Sequence, residues 1–228
     1  WGAQETLTWR APDGMAIEGL LILPPGASRA DGPFPLTTLV HGGPYGRFAD
    51  ALDVGWGRWG QWLATAGYAV LQPNPRGGSG RGHDFADRVA GAVGKEDWAD
   101  IEAGIDHLIA EGIADSERLG IGGWSQGGFM TAWAVGQTDR FKAGVMGAGV
   151  SDWGLMVAQS DVYDFEADLG GSFGWEADAP HRHHEVSPIS FAHRIKTPLL
   201  ILHGQNDARV PVSQAQYMYR ALQHHNVP

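Results

Sequence analysis

One serine stands among glycines in the segment Gly122-Gly123-Trp124-Ser125-Gln126-Gly127-Gly128, directly after the run Arg118-Leu119-Gly120-Ile121. The spacing Gly123-x-Ser125-x-Gly127 is that of a nucleophile elbow, a sharp strand-to-helix turn that exposes a serine hydroxyl at its apex. Such a turn needs a strained backbone at the nucleophile and no side chains at the flanking positions, because strand and helix pass close to one another there. Glycine fills 34 of the 228 positions, so the spacing by itself is weak evidence, and the bland alternative is a loop serine between two buried elements. Context supports the elbow. A short strand precedes Ser125 and a helical stretch over residues 127–135 follows it.

Two further segments supply what a serine nucleophile requires. His41-Gly42-Gly43-Pro44 follows the apolar run Leu36 to Val40, and a glycine backbone N–H in such a loop can reach a developing oxyanion. The second donor would be the N–H of Gln126, the residue after the serine. Downstream, the continuous run Pro198 to His203 reads as a buried strand that empties into Gly204-Gln205-Asn206-Asp207-Ala208-Arg209-Val210-Pro211. Asp207, just past the carboxyl end of a strand, fits the acid that orients a catalytic histidine. The ordinary alternative is a turn aspartate. After Asp207 the pattern from Val212 to His224 reads as a helix, with Ala215, Met218, Tyr219 and Leu222 on its apolar face. His224 and His225 lie at the end of that helix, where imidazoles interact favourably with the partial negative charge. One more strand is owed before a histidine loop, so the base is expected past Pro228.

These motifs carry a family resemblance. His41-Gly-Gly-Pro44, Asn74-Pro-Arg-Gly-Gly-Ser-Gly80, Gly123-Trp-Ser-Gln-Gly-Gly128, Ser187-Pro-Ile189 and His203 to Pro211, in that order, resemble the catalytic domain of the prolyl oligopeptidase family, and within it the acylaminoacyl peptidase and dipeptidyl peptidase branch. The resemblance runs from about Thr6 to Pro228. It implies an α/β-hydrolase fold, Ser125 as nucleophile, Asp207 as triad acid, and the N–H groups of Gly43 and Gln126 as the oxyanion hole. It also implies a β-propeller domain ahead of the hydrolase domain. The expectation is therefore that residues 1–228 are a hydrolase domain cut from a longer protein, ending before its last strand and histidine loop.

The elements that position these residues can be read coarsely. Strands at 6–10 and 17–23, joined by Pro12-Asp13-Gly14, form an antiparallel hairpin at the sheet edge. Strands at 36–40, 68–72, around Leu119, at 143–146 and 199–203 alternate with helices at 56–66, 98–111, after Ser125 and at 212–224. The alternation predicts a mostly parallel sheet with helices on both faces. The segment from Asp152 to Arg194 exceeds an ordinary connection and follows a strand at the site's edge. Trp153, Met156, Val157, Tyr163 and Phe165 within it are candidates to line a substrate pocket, although each could equally serve to seat the insertion on the domain. Trp124 is expected as buried support behind the elbow.

Composition bounds the rest. The chain is long enough for one α/β domain, and its net charge of −10 argues against nucleic-acid or anionic-membrane partners. No apolar run has transmembrane length, and the absence of cysteine excludes disulfides and thiol chemistry. His181, His183 and His184 lack a strong metal-ligand spacing, and no metal or other cofactor is expected. The glycine-rich stretch 76–82 lacks the lysine of a phosphate loop and reads as structural. The expected activity is serine-peptidase cleavage of short or N-terminally processed peptides through an acyl-enzyme. A carboxylesterase with the same site, and a non-catalytic fragment without the triad histidine, are the alternatives. Compartment and self-association stay open.

Overall fold

The computed structural model describes residues 1–55 and 57–228. Seven strands, β1 (Gln4–Arg10), β2 (Ala16–Ile22), β3 (Phe34–Val40), β4 (Ala69–Asn74), β5 (Ala114–Trp124), β6 (Phe141–Gly147) and β7 (Leu199–Leu202), form one sheet in the order β1-β2-β4-β3-β5-β6-β7. The pairs β1–β2 and β2–β4 are antiparallel, and every pair from β4–β3 through β6–β7 is parallel. This is the α/β-hydrolase arrangement expected from the sequence, with the hairpin at one edge.

Helices α1 (Gly60–Thr65), α2 (His83–Ala86), α3 (Glu96–Ala110), α4 (Gln126–Gln137), α5 (Trp153–Gln159), α6 (Tyr163–Gly170) and α7 (Ser213–His224) fill the connections. The expected start of α1 at residue 56 lies outside the described residues. Helix α3 buries Trp98, Ile101, Ile105 and Leu108, an i, i+3, i+4 stripe, whereas α4 is buried on nearly every side as the central helix behind the serine. Helix α7 buries Ala215, Met218 and Leu222, but Tyr219 is 55% exposed, so the apolar face is narrower than its sequence pattern suggests.

Strand β7 also departs from its reading as a buried strand. Leu199 is buried while Leu200 is 56% and Leu202 39% exposed. Among the described residues its only sheet neighbour is β6. The neighbouring sheet surface is a groove of about 600 Å³ lined by side chains such as Leu39, Trp62, Leu63 and Val145. A strand at a sheet edge beside a groove leaves alternate apolar residues facing outward.

The stretch 76–82 proves to be architecture. Arg76 is buried, and its Nε and Nη2 donate to Asp100 on α3 at 2.9 and 2.6 Å, while its backbone N–H donates to the same carboxylate at 2.9 Å. Its Nη1 reaches Asp13 in the hairpin turn and Glu96 at the start of α3. One guanidinium thus ties the exit of β4 to α3 and to the β1–β2 turn. Removing one partner of a buried pair strands the other without compensation, so Arg76→Met is expected to cost about 3–5 kcal/mol of stability. Chemical denaturation measures this, and a loss below about 1 kcal/mol would show that the pair is not a structural tie.

Candidate active site

Ser125 occupies a conformation that its neighbours enforce. Its φ of 59° is in the left-handed region, its N–H donates to the Gly147 carbonyl at 2.9 Å, and its own carbonyl accepts from Phe129 at 3.0 Å as α4 begins. The flanking glycines are required by contact. A β-carbon on Gly123 would lie 2.4 Å from the Val40 carbonyl oxygen, one on Gly127 2.1 Å from the same atom, and one on Gly128 2.3 Å from the Gly147 carbonyl oxygen. Backbone atoms cannot yield to such overlap as a flexible side chain can. The glycine spacing is therefore what lets β3, β5, β6 and α4 converge around one raised serine.

The loop after β3 passes beside that serine. A β-carbon on Gly42 would sit 3.4 Å from Ser125 Cβ and 4.0 Å from its Oγ, and Gly43 takes φ +136°. Gly43, Ser125 and Gln126 line one cavity of about 240 Å³. Gln126 is the first residue of α4, where a backbone N–H has no acceptor within the helix and the helix end favours negative charge. Beneath the loop, His41 is buried. Its Nδ1 lies 2.9 Å from the Gly42 carbonyl oxygen, which only accepts, so Nδ1 carries the proton and Nε2 is left buried without a partner. Burial, the main cause, pushes the ring's pKa down to about 4 and keeps it neutral.

Asp207 lies in the loop after β7. Its Oδ1 accepts from the N–H groups of Arg209 and Val210, both at 3.0 Å. It lines a second cavity, of about 550 Å³, together with Trp59, Trp124, Leu202, His203 and Gly204. The elbow borders both cavities: Trp124 lines one and Ser125 the other, and Arg209 and Val210, whose N–H groups hold Asp207, line the Ser125 cavity. Trp124 is half-buried, its ring against Gly147, and not the buried support expected. His203 Nε2 is 2.6 Å from the Val210 carbonyl oxygen, which binds that ring to the Asp207 loop.

Of the pocket candidates, Trp153, Met156 and Phe165 line the Ser125 cavity. Val157 is buried outside that lining, and Tyr163 is 49% exposed with its ring against Phe173. The cavity also takes Val150, Glu166, Leu169, Arg209 and Val210, which the sequence reading did not single out. The i, i+1, i+4 grouping of Phe165, Glu166 and Leu169 on α6 was the available signal. Glu166 is buried, and burial, against the opposing pull of Arg209, raises its pKa to about 7. The rings of His181, His183 and His184 pack on one another, with centroids 4.5 Å apart for the closest pair, and Ser172 Oγ approaches His183 Nδ1 at 3.2 Å. Among the described residues no group of three His, Cys, Asp or Glu side chains could hold a metal ion, and no helix is long and apolar enough to cross a membrane.

The chain has relatives among known proteins. Residues 59–228 match the model of the prolyl oligopeptidase family. The chain is 36% identical over 219 residues to the uncharacterized peptidase YuxL of Bacillus subtilis, covering 96% of this chain and 32% of that protein. It is 34% identical over 231 residues to dipeptidyl aminopeptidase BIII of Pseudoxanthomonas mexicana, covering 95% and 32%. Among solved structures, the acylaminoacyl peptidase of Pyrococcus horikoshii superposes with a TM-score of 0.88 at 33% identity, over 99% of this chain and 36% of that one. The chain spans about a third of the length of the curated relatives it matches.

The neutral His41 gives a pH signature. The unfolded chain protonates this ring below its ordinary 6.5, whereas the folded chain does so only near 4, so its contribution is complete above 6.5 and falls away as pH drops toward 4. The loss amounts to about 3 kcal/mol across that window. Asp97 and Glu166, held protonated up to about 7 by burial, slope the opposite way. The difference between wild type and His41→Gln isolates the histidine: wild type should lose stability relative to the variant between pH 6.5 and 4.5, and parallel curves would contradict a buried neutral ring.

Proposed function

The chain belongs to the prolyl oligopeptidase family of peptidases, and from that premise we propose that it carries a serine-hydrolase site cleaving peptide bonds of short or N-terminally processed peptides through an acyl-enzyme. One observation carries this reading: Ser125, raised at φ 59° between glycines pressed on Val40, shares a cavity with Gly43 and Gln126. Ser125 Oγ attacks the carbonyl carbon of the scissile bond. The backbone N–H groups of Gly43 and Gln126 receive the oxyanion, a contribution of about 3–4 kcal/mol for one donor in a comparable site. A histidine accepts the serine proton and then delivers it to the leaving amine, and Asp207, oriented by two backbone N–H groups, holds that ring in the required tautomer. Water then attacks the acyl-enzyme with the same histidine as base, releasing the acid and restoring Ser125.

We assign the proton acceptor to a histidine beyond Pro228. His224 ends α7 and His225 caps it, and neither lines the Ser125 cavity or the Asp207 cavity. The similarity to an acylaminoacyl peptidase and to a dipeptidyl aminopeptidase supports a substrate cleaved near its amino terminus.

Three measurements of aryl-ester and aminoacyl-amide turnover test the assignments. In a protein extended past Pro228, Ser125→Ala should form no acyl-enzyme, and Asp207→Asn should lower kcat by roughly 10⁴. Residues 1–228 alone should retain only the roughly 10³–10⁴ over water that oxyanion stabilisation and binding provide. Near-normal turnover by either variant would remove that residue from the mechanism. Equal, Ser125-dependent rates for the short and extended chains would move the base to His224 or His225.

A further inference from the structure

The cavity beside Ser125 holds a charged group that the hydrolysis itself does not use. Glu166, on α6, is only 4% exposed yet lines this cavity among Trp153, Met156, Phe165 and Leu169. A carboxylate in apolar surroundings needs a cation or several donors. The nearest guanidinium, Arg209, is committed elsewhere: its Nε donates to Asp161 Oδ1 at 2.7 Å and its Nη2 approaches Oδ2 at 3.4 Å. Among the described residues, Glu166 forms no ion pair within 4.0 Å. The Ser160 hydroxyl reaches Glu166 but also donates to the Arg209 carbonyl oxygen at 2.8 Å. Arg209 lines the same cavity and pulls on Glu166 more than Asp161 pushes, but it pairs with Asp161 and not with Glu166, and α5 contributes only apolar Trp153 and Met156 to this wall, so the carboxyl has no cation in contact with it.

We propose that this cavity is a specificity pocket for an apolar stem ending in a primary ammonium group, with Glu166 as its countercharge. The inference rests on the reading of Ser125 as the reacting group, and it names the substrate chemistry that this site selects. Four apolar walls and one terminal carboxyl match the build of such a group, whose methylenes pack while its head requires an acceptor. The cavity, about 240 Å³, admits a single side chain. The ammonium has two sources, a lysine-type side chain or the free amino terminus of the substrate. The second would mark preference for an unblocked peptide. Because burial holds Glu166 near a pKa of about 7, against Arg209, which favours its ionisation, and Asp161, which opposes it, the preference should strengthen as pH rises through neutrality.

The test is binding without turnover, so its failure leaves the Ser125 reading standing, while a protein extended past Pro228 that binds as expected yet stays inactive would count against that reading alone. The Trp153 indole N–H, buried in the pocket wall, reports occupancy by NMR once assigned with Trp153→Phe. Three ligands are titrated: N-acetyl-lysine methylamide, norleucine methylamide with its free amino group, and N-acetyl-norleucine methylamide with no cation. At pH 7.5, where both amines are still largely protonated, at least one ammonium ligand should bind about ten-fold or more tighter than the uncharged one, a difference of about 1.4 kcal/mol. Which of the two wins identifies the source. The advantage should shrink at pH 5.5 and vanish in Glu166→Gln. Equal binding of all three, binding of none, or an advantage that survives Glu166→Gln would overturn the proposal. If that variant does not fold, the wild-type pH dependence decides by the same criterion.

Discussion

The carbonyl oxygen of Val40 is the atom around which this site is built. Strand β3 ends there, the elbow of β5 and α4 folds over it, and both Gly123 and Gly127 approach it too closely for any side chain. That contact fixes where the strand must turn and so forces the intervening residue upward. Ser125 accepts the left-handed backbone because β6 secures its N–H through the Gly147 carbonyl. The same end of β3 leads into His41 and Gly42, so the chain that closes the elbow from below also supplies the loop beside the serine. A buried, neutral His41 fits this placement: a charged ring under a proposed oxyanion site would have to be desolvated, and burial has already removed that charge.

The second constraint comes from the far edge of the parallel sheet. The loop after β7 uses the Asp207 carboxylate to gather the N–H groups of Arg209 and Val210, and those residues turn back to wall the Ser125 cavity. Ser160, just past the end of α5, donates to the Arg209 carbonyl, so the insertion and the Asp207 loop are locked together. The Ser125 cavity and the proposed triad acid are thus coupled through one short loop. A change in the shape of the insertion would reach Asp207 through hydrogen bonds and not only through packing.

What the sequence disclosed follows the range of the forces involved. The elbow was legible because its requirement is local: glycine at fixed offsets from a serine, after a strand and before a helix. The hairpin, the parallel strands and α3 were legible from periodicity. The insertion is recognisable by length, and Trp153, Met156 and Phe165 do line the cavity, but no local pattern distinguishes them from Val157 and Tyr163, whose placement depends on how α5 and α6 pack together. Glu166 escaped notice because its burial comes from tertiary contacts, and an acidic residue on a short helix ordinarily faces water. Hydrophobicity alone assigns Leu200 and Leu202 to a buried strand and Tyr219 to an apolar helix face, yet β7 lies at the sheet edge and α7 is amphipathic over a narrower stripe.

The central claim is that the backbone crowding at Val40 makes Ser125 the reactive hydroxyl. Covalent capture tests it most directly. A protein containing these residues and extended past Pro228 is treated with a fluorophosphonate, and the modified peptide is identified by mass spectrometry. A single phosphonyl group on Ser125 is the predicted result. Modification of a different serine, or none on Ser125 while the protein still hydrolyses an aryl ester, would contradict the account.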